Sequence, residues 1–280
     1  DYYNSFLEKI NSVTKEDVRN ASKKYFLTNN TRVFVTGKGS EIIDALEGLE
    51  YNGKELTIRY FDKFGNETSK PNYSVSDDVS AESIVANYIN SIGGREKLEG
   101  VNTLITNGEL ELPAGTPQQV MLSVKQKMPN LESVKQKVLM GGQVVMEGGQ
   151  SFDGETGYIQ GPQGRVDMDD ETISKMKAVQ GIFEELYYTD KQLELINISN
   201  VDGDDAYKIK ISDGSDVSYR YYSISKGYLL SVESEDKSKN VTTTNYSDFR
   251  SVDGIIFPFK LQLQGQKISI SEIIVNEEIK

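Results

Sequence analysis

The chain contains no histidine, no cysteine and no tryptophan. Without His there is no Ser-His-Asp triad, no Cys-His dyad, no His general base and no His-ligated zinc. Without Cys there is no disulfide, no thiolate metal site and no c-type haem attachment. Acid/base work is left to Asp, Glu, Lys or Tyr. The expectation is a chain that is not itself an enzyme and holds no cofactor. No apolar run reaches the roughly 20 residues of a membrane-spanning helix, so no membrane span is expected. Basic charge is short as well. Lys and Arg number 31 against 43 Asp and Glu, a net of -12. That balance argues against nucleic acid, whose phosphates need a basic surface, and against charge-driven docking on an anionic membrane. The lack of Cys leaves the compartment open. The sequence begins at Asp1 and shows no basic-apolar-small signal pattern, so it reads as a processed chain or a cut fragment.

What is present suffices for a core. Of 280 residues, 37% are hydrophobic, and the length allows one large domain or two modest ones. Residues 1–70 are balanced at 11 basic and 11 acidic side chains, so the whole excess of acid lies beyond them. The polar stretch around Lys70-Pro71-Asn72 lacks periodicity and reads as a linker. The division is therefore 1–68, a linker at 69–79, and 80–280.

The first part reads helix, helix, strand, helix, strand. Tyr2/Tyr3, Phe6, Leu7 and Ile10 have helical spacing. Thr14 is placed to cap a second helix, whose buried stripe would be Val18, Ala21 and Tyr25. Asn29-Asn30 turns the chain, Arg32–Gly37 reads as a buried strand, and Ser40 as the cap of a third helix. Leu56–Phe61 is a last strand, closed by a turn at Asp62–Asn66. About 65 residues of this kind fold alone only marginally.

The segment Val13–Leu49, with Glu16-Asp17-Val18 and Lys24-Tyr25-Phe26 in its second helix, resembles the extreme C-terminus of an insulinase/pitrilysin-type zinc peptidase domain. The resemblance covers about residues 1–66. It implies the tail of the family's non-catalytic half. The H-x-x-E-H signature, whose His bind zinc while its Glu activates water, cannot be here. Zinc is expected only in an upstream domain of the parent, and no catalytic residue carries over.

Beyond residue 80 the pattern changes. Ser80 is a cap; Ile84, Val85, Tyr88, Ile89 and Ile92 share one helical face; Gly93-Gly94 ends it. Another turn of helix covers Arg95–Glu99. The period then becomes two, through Leu104–Leu112, Val120–Lys125, Val134–Val138, Val144–Met146 and Thr156–Gln160. It returns from Leu193 to Val275, with turns at Asp202-Gly203, Asp213-Gly214, Lys226-Gly227 and Asp253-Gly254. Asp169–Phe183 interrupts with Ile173, Met176, Val179 and Phe183 at helical spacing. The fold class is α+β: a small α/β remnant, then a large curved antiparallel half-barrel sheet of about 10–11 strands covered by two or three helices.

Such a sheet has an inside. Either helices and side chains fill it as plain core, or they cover a cavity for an apolar ligand. The expected lining is Val120, Leu122, Val124, Val144, Met146, Ile173, Met176, Phe183, Tyr219 and Tyr221. Ile84–Leu112 and the pattern Tyr246-Ser-Asp248-Phe249-Arg250-Ser-Val252-Asp253-Gly254-Ile-Ile-Phe257-Pro258 resemble the LolA-like lipoprotein-carrier fold, over about residues 81–280. The resemblance implies a helix-lidded half-barrel that accepts acyl chains, in the periplasm or envelope of a Gram-negative bacterium. Its partners would be an apolar ligand, or a lipidated or hydrophobic peptide, and the parent's upstream peptidase domains. The other reading is an accessory or docking domain with a filled core.

Smaller motifs have bland readings. Asp202–Asp205 with Asp213–Asp216 lack the 12-residue calcium loop and read as hairpin turns. Gly141-Gly142, Gly148-Gly149 and Gly154 lack the Lys-Ser/Thr of a phosphate loop. Tyr219, Tyr221, Tyr222 and Tyr228 are a ligand platform or packing. Arg220 meets an anionic head group inside the sheet or makes a surface ion pair.

Overall fold

The computed structural model describes residues 2–27, 30–37, 39–62, 64–214, 216–235 and 240–279. The chain divides into two compact units, Asp1–Lys38 and Gly39–Lys280.

The first unit holds two helices, α1 (Tyr2–Ser12) and α2 (Lys15–Tyr25). Thr14 caps α2: its Oγ1 accepts from the Asp17 amide while Asp17 accepts from the Thr14 amide. The expected buried stripe is absent. Val18 is 57% and Tyr25 70% exposed, and α2 buries nothing. Arg32–Gly37 forms no strand, and Phe34 is 84% exposed. A strand needs a neighbour to complete its ladder, and the described residues of this unit supply none. Asn29, half of the expected turn, lies outside the described residues.

The second unit opens with α3 (Gly39–Glu47), which starts one residue before the expected cap at Ser40. The Ser40 side chain lies outside the described residues. Two short hairpins follow, β1 (Glu50–Tyr51) with β2 (Lys54–Glu55), and β3 (Tyr60–Phe61) with β4 (Glu67–Thr68). Only the last two residues of the expected Leu56–Phe61 strand are paired; Lys63 in its turn lies outside the described residues. Residues 69–79 contain no helix or strand. They lie within this unit, where the Ile198 amide donates to the Tyr73 carbonyl at 3.4 Å.

Ser80 caps α4 (Ala81–Ile92) by exchanging hydrogen bonds with Ser83. Ile84, Val85, Ile89 and Ile92 are its buried face, and Gly93, at φ 149°, ends it as few other residues could. α5 (Arg95–Glu99) adds buried Leu98. The sheet then runs through β5 (Thr103–Leu110), β6 (Gln118–Lys127), β7 (Leu131–Met140), β8 (Gln143–Phe152), β9 (Gly157–Gly161) and β10 (Gly164–Asp167). Helix α6 (Asp170–Ala178) and a 3-10 helix, Glu184–Asp190, interrupt it. It resumes with β11 (Gln192–Val201), β12 (Asp204–Asp213), β13 (Asp216–Ser223), β14 (Leu229–Glu235), β15 (Val241–Val252), β16 (Ile255–Leu263) and β17 (Gln266–Val275).

These form one open, curved antiparallel sheet of thirteen strands, in the order β10-β9-β8-β7-β6-β5-β17-β16-β15-β14-β13-β12-β11. The count exceeds the expected ten or eleven. The strand least visible in sequence is β10, four exposed residues on an edge. The helical stretch also ends early: Val179 is extended at φ -66°, ψ 125°, and Phe183 precedes the 3-10 helix.

The contacts of α6 reveal the curvature. Lys177 Nζ reaches Glu155 in the β8–β9 turn at 2.6 Å, and Lys175 Nζ reaches Asp216 at the start of β13 at 2.9 Å. In a flat sheet eight strand spacings separate β8 from β13, roughly 38 Å. Two lysines two residues apart, about 3 Å of helix rise, close that span only if the sheet's arms curl toward each other.

Cross-strand register assigns the faces. The helix-facing side carries Ile209, Ile211, Tyr222, Ile255, Phe257, Phe259 and Ile273, packed on Ile84, Val85, Ile89 and Ile92 of α4. The outer side carries a small cluster of Ala206, Tyr221 and Leu230, flanked by Tyr219 and Phe249.

Two measurements test this construction. Gly108 of β5 pairs with Ile270, and a Cβ there meets the Ser269 carbonyl at 2.7 Å. Gly108→Ala is expected to cost about 1–3 kcal/mol in urea unfolding; an unchanged midpoint would show that the pair relaxes freely. α6 buries no residue and its ties are exposed. Lys175→Ala with Lys177→Ala should leave the global midpoint nearly unchanged and raise amide exchange within α6.

Candidate functional site

Alternation along β13 sends Ser218, Arg220 and Tyr222 to the helix-facing side and Tyr219 and Tyr221 to the outer side. Arg220 stands opposite Ile209 of β12 and Val232 of β14. Above it lies the 3-10 helix. Arg220 Nη1 donates to Glu185 Oε1 at 3.3 Å, and its Nη2 pairs with Glu184. The Arg220 and Glu185 side chains are 10% and 6% exposed. Arg220 is thus ion-paired as one sequence reading had it, but inside the sheet rather than on the surface. A buried charge is tolerated where paired charges compensate it.

Burial pushes the Glu185 carboxyl above its ordinary value, and Arg220 opposes that shift. Burial tends to lower the Arg220 pKa; Tyr188, Glu185 and Glu184 beside it outweigh that effect, and the guanidinium stays charged. Tyr88, Tyr188, Tyr222 and Tyr246 crowd the same spot, all raised first by burial and so neutral phenols. The Tyr88 and Tyr222 rings are tilted at 5.2 Å. Tyr188 Oη, Tyr222 Oη and Arg220 Nε are buried with no hydrogen-bond partner among the described residues. The two hydroxyls influence one another without reaching hydrogen-bonding geometry.

Arg220 and Glu184 also line a cleft of about 560 Å³ between α6 and strands β12–β14. Its acids are Glu171, Glu184, Asp213, Asp216 and Glu235; its bases are Lys175, Lys191 and Arg220. Each base is paired: Lys175 with Asp216 and Glu171, Lys191 with Asp213, Arg220 with both glutamates. This cleft is polar, where the sequence suggested a lining of Val, Leu, Met and Tyr.

The expected lining residues are dispersed. Val120, Leu122, Val124 and Met146 share the helix-facing side, through the pairs Leu122–Gly108, Val120–Val138 and Val138–Met146, whereas a register shift after Val138 pairs Val144 with Leu139, on the opposite face. Val120 is buried, Leu122 and Val124 half-buried, and Val144 and Met146 exposed. Ile173 and Met176 are half-buried on α6. Phe183 belongs to the core, its ring 6.1 Å from that of Phe257. Tyr219 and Tyr221 are on the wrong face for a cavity, because period two opposes them to Arg220. Outside, Lys208 lies 4.4 and 5.2 Å from their ring centres, and the Tyr221 hydroxyl donates to Glu233 at 2.7 Å. Sequence reasoning missed the group around Glu185 and Tyr188. The usable signal was parity: Arg220 alternates with Tyr222, in register with the inward Ile209.

No protein-family model and no curated protein matches the chain. Solved structures similar to it include an outer membrane lipoprotein-sorting protein domain from Vibrio parahaemolyticus, at 8% identity and TM-score 0.47, covering 71% of this chain and 94% of that one. Another is a LolA superfamily protein from Nitrosomonas europaea, at 13% and 0.48, covering 72% and 96%. A third is a DUF1329 family protein from Desulfovibrio piger, at 10% and 0.45, covering 71% and 95%.

Arg220→Met leaves Glu185 buried beside another acid with only Lys191 still favouring its charge, at an expected cost of about 3–5 kcal/mol. Adding Glu185→Gln should recover most of it. The pH dependence has a definite sign. A carboxyl whose folded pKa is raised contributes fully at low pH and loses that contribution as pH rises through the folded value. Losing Arg220 raises it further, so the deficit against the unaltered chain should grow from pH 5 to pH 8 in urea titrations. An equal deficit at both would remove Glu185 from the account.

Proposed function

We propose that residues 80–280 bind an apolar chain, such as an acyl chain of a lipid or of a lipidated or hydrophobic peptide, along the helix-facing side of the curved sheet. One observation carries this. Under α4 that side is sealed, with Ile209 at 0% and Tyr222 at 1% exposure. Toward β6–β8 and the far ends of β16 and β17 the same side is still apolar but half open, at Leu122, Val138, Met146, Leu261 and Ile268. Apolar side chains left partly wet along a concave surface favour an apolar guest by roughly 25 cal/mol per Å² covered.

The residue patterns at Ile84–Leu112 and Tyr246–Pro258 support a setting in the periplasm or envelope of a Gram-negative bacterium. In a second reading the domain is an accessory of a zinc peptidase with no catalytic group of its own. Phe26, Val33 and Phe34, each about four-fifths exposed at 79%, 80% and 84%, favour it, since they suit the tail of a larger peptidase domain.

Native mass spectrometry of the purified full chain, with displacement of a fluorescent fatty acid, tests the first reading. Retained lipid mass or micromolar displacement is expected. Met146→Asp, at a position already 43% exposed, should weaken binding about tenfold, near 1.4 kcal/mol, without changing the thermal midpoint. No retained mass together with no displacement overturns it.

A further inference from the structure

The lining of the charged cleft specifies which polar end an apolar guest can carry. Two independent features bear on it. The first is charge: five carboxylates line the cleft against three bases, and all three bases already have carboxylate partners. An incoming carboxylate or phosphate finds no cation to claim and meets like charge. The second is a set of unmet hydrogen bonds. Arg220 Nε, Tyr188 Oη and Tyr222 Oη are orphaned, in residues 8%, 8% and 1% exposed. All three can donate. A buried donor without a partner is costly, and a guest that supplies an acceptor recovers that cost. Arg220 joins the two features, lining the cleft through its side chain and carrying one of the orphaned donors, and its partner Glu184 is 51% exposed and free to turn outward while Glu185 keeps the Arg220 charge balanced.

We propose that this spot receives a neutral acceptor oxygen, the ester or amide carbonyl of an acylated guest, and discriminates against free acids. The assignment rests on the apolar-chain reading above and adds the head group to it. A neutral carbonyl takes hydrogen bonds from the guanidinium and the phenols without adding charge to the acidic lining. Ser218 and Ser234, which line the cleft beside Arg220, suit the remaining polar atoms of a glycerol or peptide.

The test compares 1-monooleoylglycerol with oleate, the same chain bearing a neutral ester or a carboxylate, as competitors of a fluorescent probe on the full chain at pH 8 and low salt. The ester should compete at least tenfold better. Tyr188→Phe with Tyr222→Phe should bring the two within about twofold, mainly by weakening the ester. Glu171→Gln with Asp213→Asn, both exposed in the cleft lining, should strengthen oleate relative to the ester and so narrow the ratio between them; this pair decides the matter where the double Phe chain does not fold. Equal competition in the unaltered chain, or a preference for oleate, overturns the head-group assignment and leaves the apolar-chain reading standing. An internal water that alone satisfies the three atoms predicts that equality. Competition by neither compound overturns both.

Discussion

The structure of the second unit depends on the connection between β10 and β11. These are the two edges of a thirteen-strand sheet, yet they are consecutive strands in the chain. Residues 168–191 must therefore travel from one edge to the other. They do so across the concave side, tied at Glu155 on one arm and at Asp216 on the other. Those two contacts record a curl that sheets of this width adopt readily. The same crossing places Glu184, Glu185 and Tyr188 over β13. A charged site inside a β-sheet exists here because the crossing chain carries its carboxylates there.

The crossing also explains why the interior is unequal along its length. The core under α4 is one cluster of buried apolar side chains, and its stabilisation scales with the area buried. α6 brings no buried side chain and is fastened by exposed ion pairs, which are weak ties. Stability is concentrated at the α4 end, and the low-stability element lies over the half-open strip. That arrangement suits a protein that must keep its fold while a guest occupies part of its interior.

Much of this was legible in sequence wherever local rules suffice. Ser80, the apolar face Ile84–Ile92 and Gly93 specify α4 and its ends without tertiary help. Alternation with Asp-Gly turns specifies hairpins, and hairpins specify sheet neighbours; β5 with β17 is the one pair that no turn announces. What failed depended on partners. Arg32–Gly37 has strand composition, but composition does not supply a neighbouring ladder. Tyr219 and Tyr221 have the right chemistry for a cavity wall and the wrong parity. That parity was open to inspection, since Ile209 and Ile211 mark the inner side of β12 and register carries the assignment to Arg220. The Glu184–Glu185 pair was invisible for another reason: no local pattern says where a long crossing will touch down.

Arg220 shows how burial converts composition into selectivity. Its charge is matched by two carboxylates, so it offers no net attraction to an anion, although an arginine inside a curved sheet invites that reading. Its Nε and the two phenols nearby keep their hydrogen-bonding capacity unspent. Coulombic and hydrogen-bonding preferences therefore diverge at one residue. The carboxylates of the cleft lining work in the same direction, and the acidity of the chain beyond residue 70, which in the sequence argued against phosphate-rich partners, would act under the proposed reading on the polar end of a small guest. A single Arg-to-Glu balance, set by where the β10–β11 crossing lands, thus bears on the stability of the buried centre and, in the reading proposed above, on the chemistry it would accept.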